Sequence, residues 1–213
     1  MCVHADNDGD CNTLIEHIKA YLYRKGEFKP EEENTFVPSL CNRIDRNTGG
    51  IVIAAKNAEA LRIMNQKIKN REIKKFYLCL VYGKLEKKTG RLTGYLFKDE
   101  AKKQVYVYNS PRKGAKPIAT KYRVLEEHSA YSLVEAELET GRTHQIRASF
   151  AACGHPLLGD GKSGSNEINR RFDYNGQALY SYRLRFEFTT ESGILDYLNG
   201  KEFKAENVKF ARK

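Results

Sequence analysis

Apolar residues recur with a helical period in two segments of this chain and with a two-residue period in most of the rest. After Thr13 they return every three or four positions as far as Leu22, which predicts an amphipathic helix. Thr13 and Glu16 have the spacing of a capping box at its start, and Gly26 marks its end. Asn57 is placed to cap a second helix. The inner face of that helix is predicted to contain Leu61, Met64 and Ile68, and its outer face Arg62, Lys67 and Lys69.

Alternation of apolar and polar residues predicts a series of strands joined by polar turns. The segments with this pattern are 76–82, 91–95, 104–108, 118–125, 129–139 and 178–186. The run 51–55 is continuously apolar and rich in β-branched residues between Gly50 and Lys56, so it is predicted to be a buried strand. A short helix is predicted over 194–198 in the polar tail.

A third helix is predicted in the second half of the chain. Thr143 is its expected N-cap, Ala152 its last residue and Gly154 its stop signal. Helical spacing places His144 and Arg147 on one face. Both side chains are therefore expected to point into the same cleft.

Composition narrows the class of partner. The 213-residue chain carries 37 Lys and Arg against 27 Asp and Glu, a formal net charge of +10. This excess favours a polyanionic partner, nucleic acid before a membrane surface, although a basic enzyme of another kind has the same balance. The five cysteines are scattered without a C-x-x-C pair, so neither a zinc site nor a disulfide framework is predicted. The cysteines are therefore expected to be reduced thiols in a cytoplasmic protein. No apolar run approaches membrane-spanning length.

A candidate reacting group lies in the motif C-N-R-I-D-R-N-T-G-G at positions 41–50. Asp45 stands between Arg43 and Arg46, on a loop that leads into the apolar run, and loops on a rigid core commonly carry reacting groups. Taken alone, the three residues are at least as typical of a surface ion-pair cluster, which contributes little stability. A functional role is favoured only when two further motifs are considered with this one.

The second motif is K-K-F-Y-L-C-L-V-Y-G at 74–83, and the third is T-G-R-T-H-Q-I-R at 140–147. In this order the three motifs resemble those of the RluA-type pseudouridine synthases, which are RNA-modifying isomerases. That family has an R-L-D-x-x-T-S-G loop, a K-x-Y-x-x-x-V-x-G strand and a G-R-T-H-Q-I-R segment. The resemblance covers most of the chain, from Val3 to Phe188. Three ordered motifs are far more specific than any one of them.

Two positions of these motifs depart from the family's pattern. Ile44 replaces Leu, which is a mild apolar exchange, and Gly49 replaces the Ser of T-S-G, which is expected to loosen the turn. Neither change removes a group that the chemistry needs. Tyr180 stands where the family's L-H-A-x-x-L-x-F segment has His.

The resemblance implies an α+β fold with a mixed, mainly antiparallel β-sheet, bent in its middle and flanked by helices and loops. It implies that residues 1–213 are one catalytic domain. In the family a K-P-x-G segment precedes the V-H pair that Val3 and His4 match, and it is missing here. The sequence is therefore interpreted as a fragment that lacks the family's first strand and any N-terminal RNA-binding domain.

The activity implied by the resemblance is the isomerisation of uridine to pseudouridine in RNA, without a cofactor or a metal. The uracil is detached from its ribose, rotated and rejoined through carbon. Asp45 would be the essential carboxylate, and its two possible roles, attack on the anomeric carbon or removal of a ribose proton, are both left open. Arg147 would orient Asp45 and pair with its charge. Tyr77 would stack under the base and help to remove the C5 proton.

Five further residues are implied to bind the substrate. Leu179 would pack against the base. Because the target uridine must leave its stack, Arg43 would fill the vacated space, with Arg46 doing part of the same work. Arg142 and His144 would bind phosphate or have a structural role. The basic segment 159–177 is expected to be a long mobile loop over the RNA; it is not a P-loop, because Pro156 stands where that pattern requires Gly.

Ribosomal large-subunit RNA is the expected substrate, with transfer RNA as the alternative, and the protein is expected to be a monomer. A non-catalytic RNA-binding module on the same fold is a second reading, but it gives no reason to keep Asp45, Tyr77 and Arg147 together. A glycosidase is a third. It is disfavoured because none of the three motifs contains a second acid of the kind that such enzymes use.

Overall fold

The computed structural model describes residues 12–32, 36–164, 166–172 and 176–211. These residues form four α-helices and ten strands. The helices are α1 (Leu14–Arg24), α2 (Ala58–Lys69), α3 (Gln145–Ala152) and α4 (Asn166–Arg171). The strands are β1 (Ser39–Leu40), β2 (Gly49–Gly50), β3 (Ala54–Ala55), β4 (Ile73–Tyr82), β5 (Thr89–Asp99), β6 (Gln104–Tyr108), β7 (Lys116–Glu127), β8 (Tyr131–Leu138), β9 (Leu179–Phe186) and β10 (Glu202–Lys204). Short 3-10 helices cover Gly193–Leu198, as predicted, and Lys209–Ala211.

Most of the described strands belong to one sheet. Its order is β10-β9-β4-β8-β7-β5-β6, with β2 paired to β9 as an eighth strand, while β1 and β3 form a separate pair. The pairs β4–β8, β7–β8, β5–β7 and β5–β6 are antiparallel, whereas β2 runs parallel to β9. The predicted α+β class with a mixed, mainly antiparallel sheet is therefore confirmed. The chain forms two compact units, one with residues 1–46, 51–73 and 185–203, the other with residues 47–50, 74–184 and 204–213.

Strand β4 is buried over most of its length because both of its faces are apolar. In β4 every residue from Phe76 to Val81 is buried, and β8 pairs with it from Phe76↔Glu137 to Tyr82↔Tyr131. One face of β4 enters a cluster formed by Phe76, Leu78, Leu80, Leu133, Leu158, Ala178, Tyr182 and Val208. This cluster packs β4 and the start of β9 into one core.

Both N-terminal helices begin where the sequence predicts. Thr13 accepts a hydrogen bond from the Glu16 amide at 3.5 Å, and the side chain of Asn57 accepts one from the Ala60 amide at 2.8 Å. Each cap satisfies one of the free amides of a first helical turn. The apolar side of α1 is only partly buried, since Leu22 is buried but Tyr21 is 51% exposed.

The predicted buried strand over 51–55 is wrong in extent and in burial, because only Ala54 and Ala55 are in a strand and only Ala55 is buried. The Asn42 side chain accepts the Ile53 amide at 2.7 Å, and the Ile53 carbonyl accepts the Cys41 amide at 2.8 Å. The Asn42 side chain thus takes the amide that a sheet neighbour would otherwise bind, whereas the bond from Cys41 continues the register of the β1–β3 pair, in which Leu40 lies opposite Ala54. The apolar run anchors the loop that follows β1.

Lys67 was predicted to lie on the outer face of α2, and this is wrong. It is 1% exposed and donates to the Glu72 carboxylate at 2.8 Å and to the hydroxyl of Thr190 at 2.8 Å. Burial acts against the charge of Glu72, but hydrogen bonds from Lys67, Asn70 and Thr190 outweigh it and lower the pKa of Glu72 to about 2. A buried ion pair therefore ties α2 to the segment that follows β9 within the first unit.

This pair predicts a loss of stability in acid. Because the folded-state pKa of Glu72 lies below its ordinary value, its contribution is present above about pH 4.5 and is lost as the pH falls towards about 2. Glu72→Gln should lower the free energy of unfolding by about 3 kcal/mol at pH 6 and by much less at pH 3. Urea unfolding at both pH values measures this, with the exposed Glu59→Gln on α2 as control. An equal effect at the two pH values would contradict the prediction.

Candidate active site

The loop that carries Asp45 is held at its start by its own unit. Asn42 is 8% exposed and its hydrogen bond to Ile53 fixes the backbone just before Arg43. Asp45 is half-buried, while Arg43 and Arg46 are exposed. The two arginines therefore remain accessible to an anionic ligand, and the carboxylate between them is partly shielded from water.

The turn that follows Asp45 is held by the second unit. Thr48 is buried and its hydroxyl accepts a hydrogen bond from the side chain of Gln177 at 2.8 Å. Gly49 and Gly50 pair with Tyr180 and Ser181 at the start of β9. The turn is thus attached to the strand end that also carries Leu179, which is 5% exposed.

Tyr77 lies in the middle of the sheet of the second unit. It is on β4, between strands β9 and β8, and is paired with Ala136 on β8. Its side chain is 6% exposed. The backbone of Tyr77 is therefore held by a strand on each side, and its ring is buried.

The G-R-T-H-Q-I-R segment forms a loop and the first turns of α3. Helix α3 begins one residue later than predicted, because His144 and not Thr143 is its N-cap. His144 has a left-handed backbone with φ of 54°, and its side chain makes no capping hydrogen bond. The prediction that His144 shares a helical face with Arg147 is therefore wrong, since His144 lies outside the regular helix. Its side chain is half-buried, and Arg142 is exposed.

Gln145 holds this loop against the sheet. Its side-chain nitrogen donates to the Ala119 carbonyl and the Thr120 hydroxyl, both at 3.0 Å. Its side-chain oxygen accepts from the Thr140 hydroxyl at 2.8 Å and from the Arg142 amide at 3.1 Å. Sequence reasoning assigned no role to Gln145, although it lies inside the motif. Gln145 thus fixes the position of the loop before α3, the helix that carries Arg147.

Arg147 is fixed by an acid that the motifs do not include. Its Nε donates to one oxygen of Asp160 at 2.9 Å and its Nη2 to the other at 2.6 Å. Arg147 is 5% exposed and Asp160 is 1% exposed. This bidentate geometry defines the plane of the guanidinium as well as its position. Nothing local in the sequence indicates the pairing, because Asp160 lies in a glycine-rich turn among basic residues.

Asp160 is itself held in its ionised form. Burial acts to raise the pKa of Asp160, but the hydrogen bonds and charge of Arg147 and the amides of Lys162 and Ser163 outweigh it, so the pKa lies below its ordinary value. The two amides donate to the carboxylate at 2.9 and 3.1 Å. Asp160 therefore presents a permanent negative charge to Arg147 at neutral pH.

The segment around Asp160 is ordered by hydrogen bonds, so the expected loop over 159–177 is wrong in part. It contains α4, and Asn169 on that helix accepts the Gly159 amide at 2.8 Å and donates to the Asp160 carbonyl at 3.1 Å. Two residues before Asp160, the Leu158 carbonyl accepts the Ala178 amide at 2.9 Å. Arg147 is thus linked through Asp160 to the strand end that bears Leu179.

Each unit therefore gathers part of the predicted site. The second contains Tyr77, Leu179, Arg147 and the turn after Asp45, with Arg142 and His144 on the loop before α3. The first contains Arg43, Asp45 and Arg46 on the loop braced by Asn42. Within the described ranges, no three His, Cys, Asp or Glu side chains are grouped to hold a metal ion. None of the described helices has the length and apolar character that crossing a membrane requires.

Comparisons with known proteins agree on one family. A family model described as RNA pseudouridylate synthase matches residues 2–152. An uncharacterised RNA pseudouridine synthase of Mycoplasma genitalium is 38% identical over 206 residues, which cover 92% of this chain and 60% of that protein. The ribosomal large subunit pseudouridine synthase C of Vibrio parahaemolyticus is 33% identical over 79% of this chain and 53% of its own length. The chain thus spans between half and two thirds of these relatives.

Solved structures agree with the sequence relatives. Human RNA pseudouridylate synthase domain containing 1 is similar over 84% of this chain and 71% of its own, with a TM-score of 0.68 and 26% identity. Human RNA pseudouridylate synthase domain containing 4 covers 99% of this chain with a TM-score of 0.71, and at 17% identity it shows the same fold. The ribosomal large subunit pseudouridine synthase D of Borreliella burgdorferi is 29% identical over 85% of this chain and 52% of its own length. The chain therefore belongs to the RNA pseudouridylate synthase family, and its similarity to the ribosomal large subunit synthases C and D places it in the RluA-type branch.

Proposed function

We propose that this chain is the catalytic part of an RNA pseudouridine synthase that acts on uridines of large-subunit ribosomal RNA. The observation that carries the proposal is the family match over residues 2–152, which includes Asp45, Tyr77 and Arg147 in the family's order. Relatives named as large-subunit synthases C and D favour ribosomal over transfer RNA. The net charge of +10 suits a polyanionic substrate. The enzyme is expected to act as a cytoplasmic monomer.

Asp45 is the proposed catalytic carboxylate. The reaction breaks the bond between the ribose and N1 of uracil and forms one between the ribose and C5, while a proton leaves C5 and N1 gains one. The ionised carboxylate of Asp45 either attacks the anomeric carbon or removes a ribose proton. No oxidant, reductant or energy source enters this balance. Arg147 is the cation proposed to pair with this carboxylate and to orient it.

Asp160 has a supporting role in this proposal. A guanidinium positions a carboxylate well only if the guanidinium itself is fixed, and the two hydrogen bonds from Arg147 to Asp160 supply that fixation. Asp160 acts through Arg147 and does not itself meet the substrate in this scheme. It is a positioning residue.

The target base is proposed to rest between side chains of the second unit. Tyr77 supports one face and takes part in removing the C5 proton, and Leu179 packs from another side. Because a paired uridine must leave its stack, the exposed Arg43 and Arg46 are proposed to occupy the space and contact phosphate. Arg142 and His144 are proposed to bind the RNA backbone or to shape the loop before α3.

Release of tritium tests the reaction and the substrate together. Large-subunit ribosomal RNA and transfer RNA are transcribed with uridine labelled at C5, and tritium release is followed with each. Release from ribosomal RNA alone is the expected result. Release from transfer RNA alone would show that the proposed reaction is correct but that transfer RNA is the substrate. Binding of both RNAs without release from either, by this chain and by a longer protein that contains it, would favour a non-catalytic module.

A further inference from the structure

The two departures of this sequence at Gly49 and Tyr180 meet in the structure. They are far apart in the sequence, but the parallel pairing of β2 with β9 places Gly49 directly opposite Tyr180 and Gly50 opposite Ser181. Position 49 lacks the side chain of the family's serine, and position 180 carries a larger ring than the family's histidine. The pairing makes the two changes parts of one contact.

The space at Gly49 is taken by the Tyr180 ring. A Cβ atom built on Gly49 would lie 2.6 Å from Cε2 and 3.0 Å from Cδ2 of Tyr180, closer than side chains normally approach. Gly50 differs, because a Cβ there would lie 2.1 Å from the Ser181 carbonyl oxygen and φ is +120°. Backbone therefore forbids any side chain at Gly50. At Gly49, by contrast, the three atoms nearest to the added Cβ all belong to the ring of Tyr180.

The ring of Tyr180 is not free to move aside. It packs against the buried cluster that contains Phe76 and Leu78, and its neighbours Leu179 and Ser181 are 5% and 1% exposed. The turn is held on its other side by the hydrogen bond from Gln177 to Thr48. A side chain at Gly49 must therefore displace the turn or the start of β9.

We propose that Gly49 and Tyr180 are a compensating pair, and that Tyr180 is a positioning residue for the loop that carries Asp45. The ring sets how closely the Thr48–Gly50 turn approaches β9, and so fixes the backbone that follows Asp45 in register with Leu179. Ser at position 49 then requires a smaller side chain at position 180. The positioning role rests on the proposed function, whereas the compensation between the two side chains does not.

A double-mutant cycle tests the pair in two measurements. The proteins are wild type, Gly49→Ser, Tyr180→His and the double variant, with Tyr197→His as control because Tyr197 is 68% exposed. Denaturant unfolding without RNA measures the contact, and kcat and KM for tritium release measure the positioning. Gly49→Ser alone is expected to unfold at lower denaturant and to lose about tenfold to a hundredfold in kcat with little change in KM. The double variant should regain kcat to within about threefold of wild type.

The outcomes separate the two claims. Additive effects of the substitutions on unfolding would overturn the compensating pair. Rescue of stability without rescue of kcat would overturn the positioning role, because the contact would then be structural only. If wild type releases no tritium from either RNA, the proposed function fails and the positioning role falls with it. The unfolding cycle still decides the contact in that case, since it uses no RNA.

Discussion

Replacement of Asp45 by asparagine is expected to lower kcat for pseudouridine formation by at least about a thousandfold. Asparagine has nearly the same shape but no negative charge, so it can neither attack the anomeric carbon nor remove a ribose proton. RNA binding should change little, because phosphate contacts are proposed for the arginines on either side. The affinity for unmodified ribosomal RNA is therefore expected to stay within about twofold of wild type at fixed salt.

Tritium release in single-turnover reactions measures the effect, and filter binding measures the affinity. The matched control is Asp99→Asn, because Asp99 is the last residue of β5, accepts the Lys102 amide of the following turn at 2.9 Å, and has no proposed part in the reaction. Asp99→Asn should retain wild-type activity. An Asp45→Asn protein with activity within tenfold of wild type would show that this carboxylate is not essential, and the mechanism proposed for it would be wrong.

Local sequence was sufficient for most of the elements. Thr13 and Asn57 cap the helices predicted from them, and alternation located β4 and β9, because caps and periodicity depend on neighbours in the chain. The failure at 51–55 has a physical reason. An apolar, β-branched run predicts a strand, but the Asn42 side chain, which follows β1, accepts the Ile53 amide that a ladder partner would otherwise bind.

Residues whose role depends on distant partners could not be predicted. Lys67 carries the polar signature of an exposed helix position, and it is buried only because Glu72 and Thr190 surround its ammonium group. Asp160, at the candidate site, likewise owes its environment to a distant partner. A carboxylate in a turn of glycine and lysine is usually solvated, and only the fold brings Arg147 to it. The motifs therefore identify residues proposed for the chemistry, and miss the residues that hold them.

The conformation of His144 shows a further limit of helical spacing. The rule that residues three apart share a face applies from the first helical residue, and α3 begins at Gln145. The left-handed backbone of His144 turns the chain before the helix and allows the Gln145 side chain to accept the Arg142 amide. Periodicity cannot distinguish the cap from the first turn when the cap is an unusual residue.

Asp160→Asn is expected to reduce kcat by about a hundredfold and to lower the free energy of unfolding by about 3 kcal/mol. Asparagine keeps the size of Asp160, but it replaces one acceptor by a donor and removes the charge that faces the buried guanidinium of Arg147. One of the two hydrogen bonds is then lost and Arg147 is no longer held in a fixed plane. Tritium release gives the first number and urea unfolding the second, again with Asp99→Asn as control.

A cycle with Arg147→Lys distinguishes positioning from general loss of structure. Lysine retains the positive charge but cannot form the bidentate contact with Asp160. Arg147→Lys alone should therefore already lose the part of kcat that depends on this contact. If Asp160 acts through Arg147, the double variant will be no slower than Arg147→Lys. Loss of structure gives a different result, because the two effects on kcat would then multiply. Multiplication of the two effects would show that Asp160 influences the reaction by a route other than the arginine it binds.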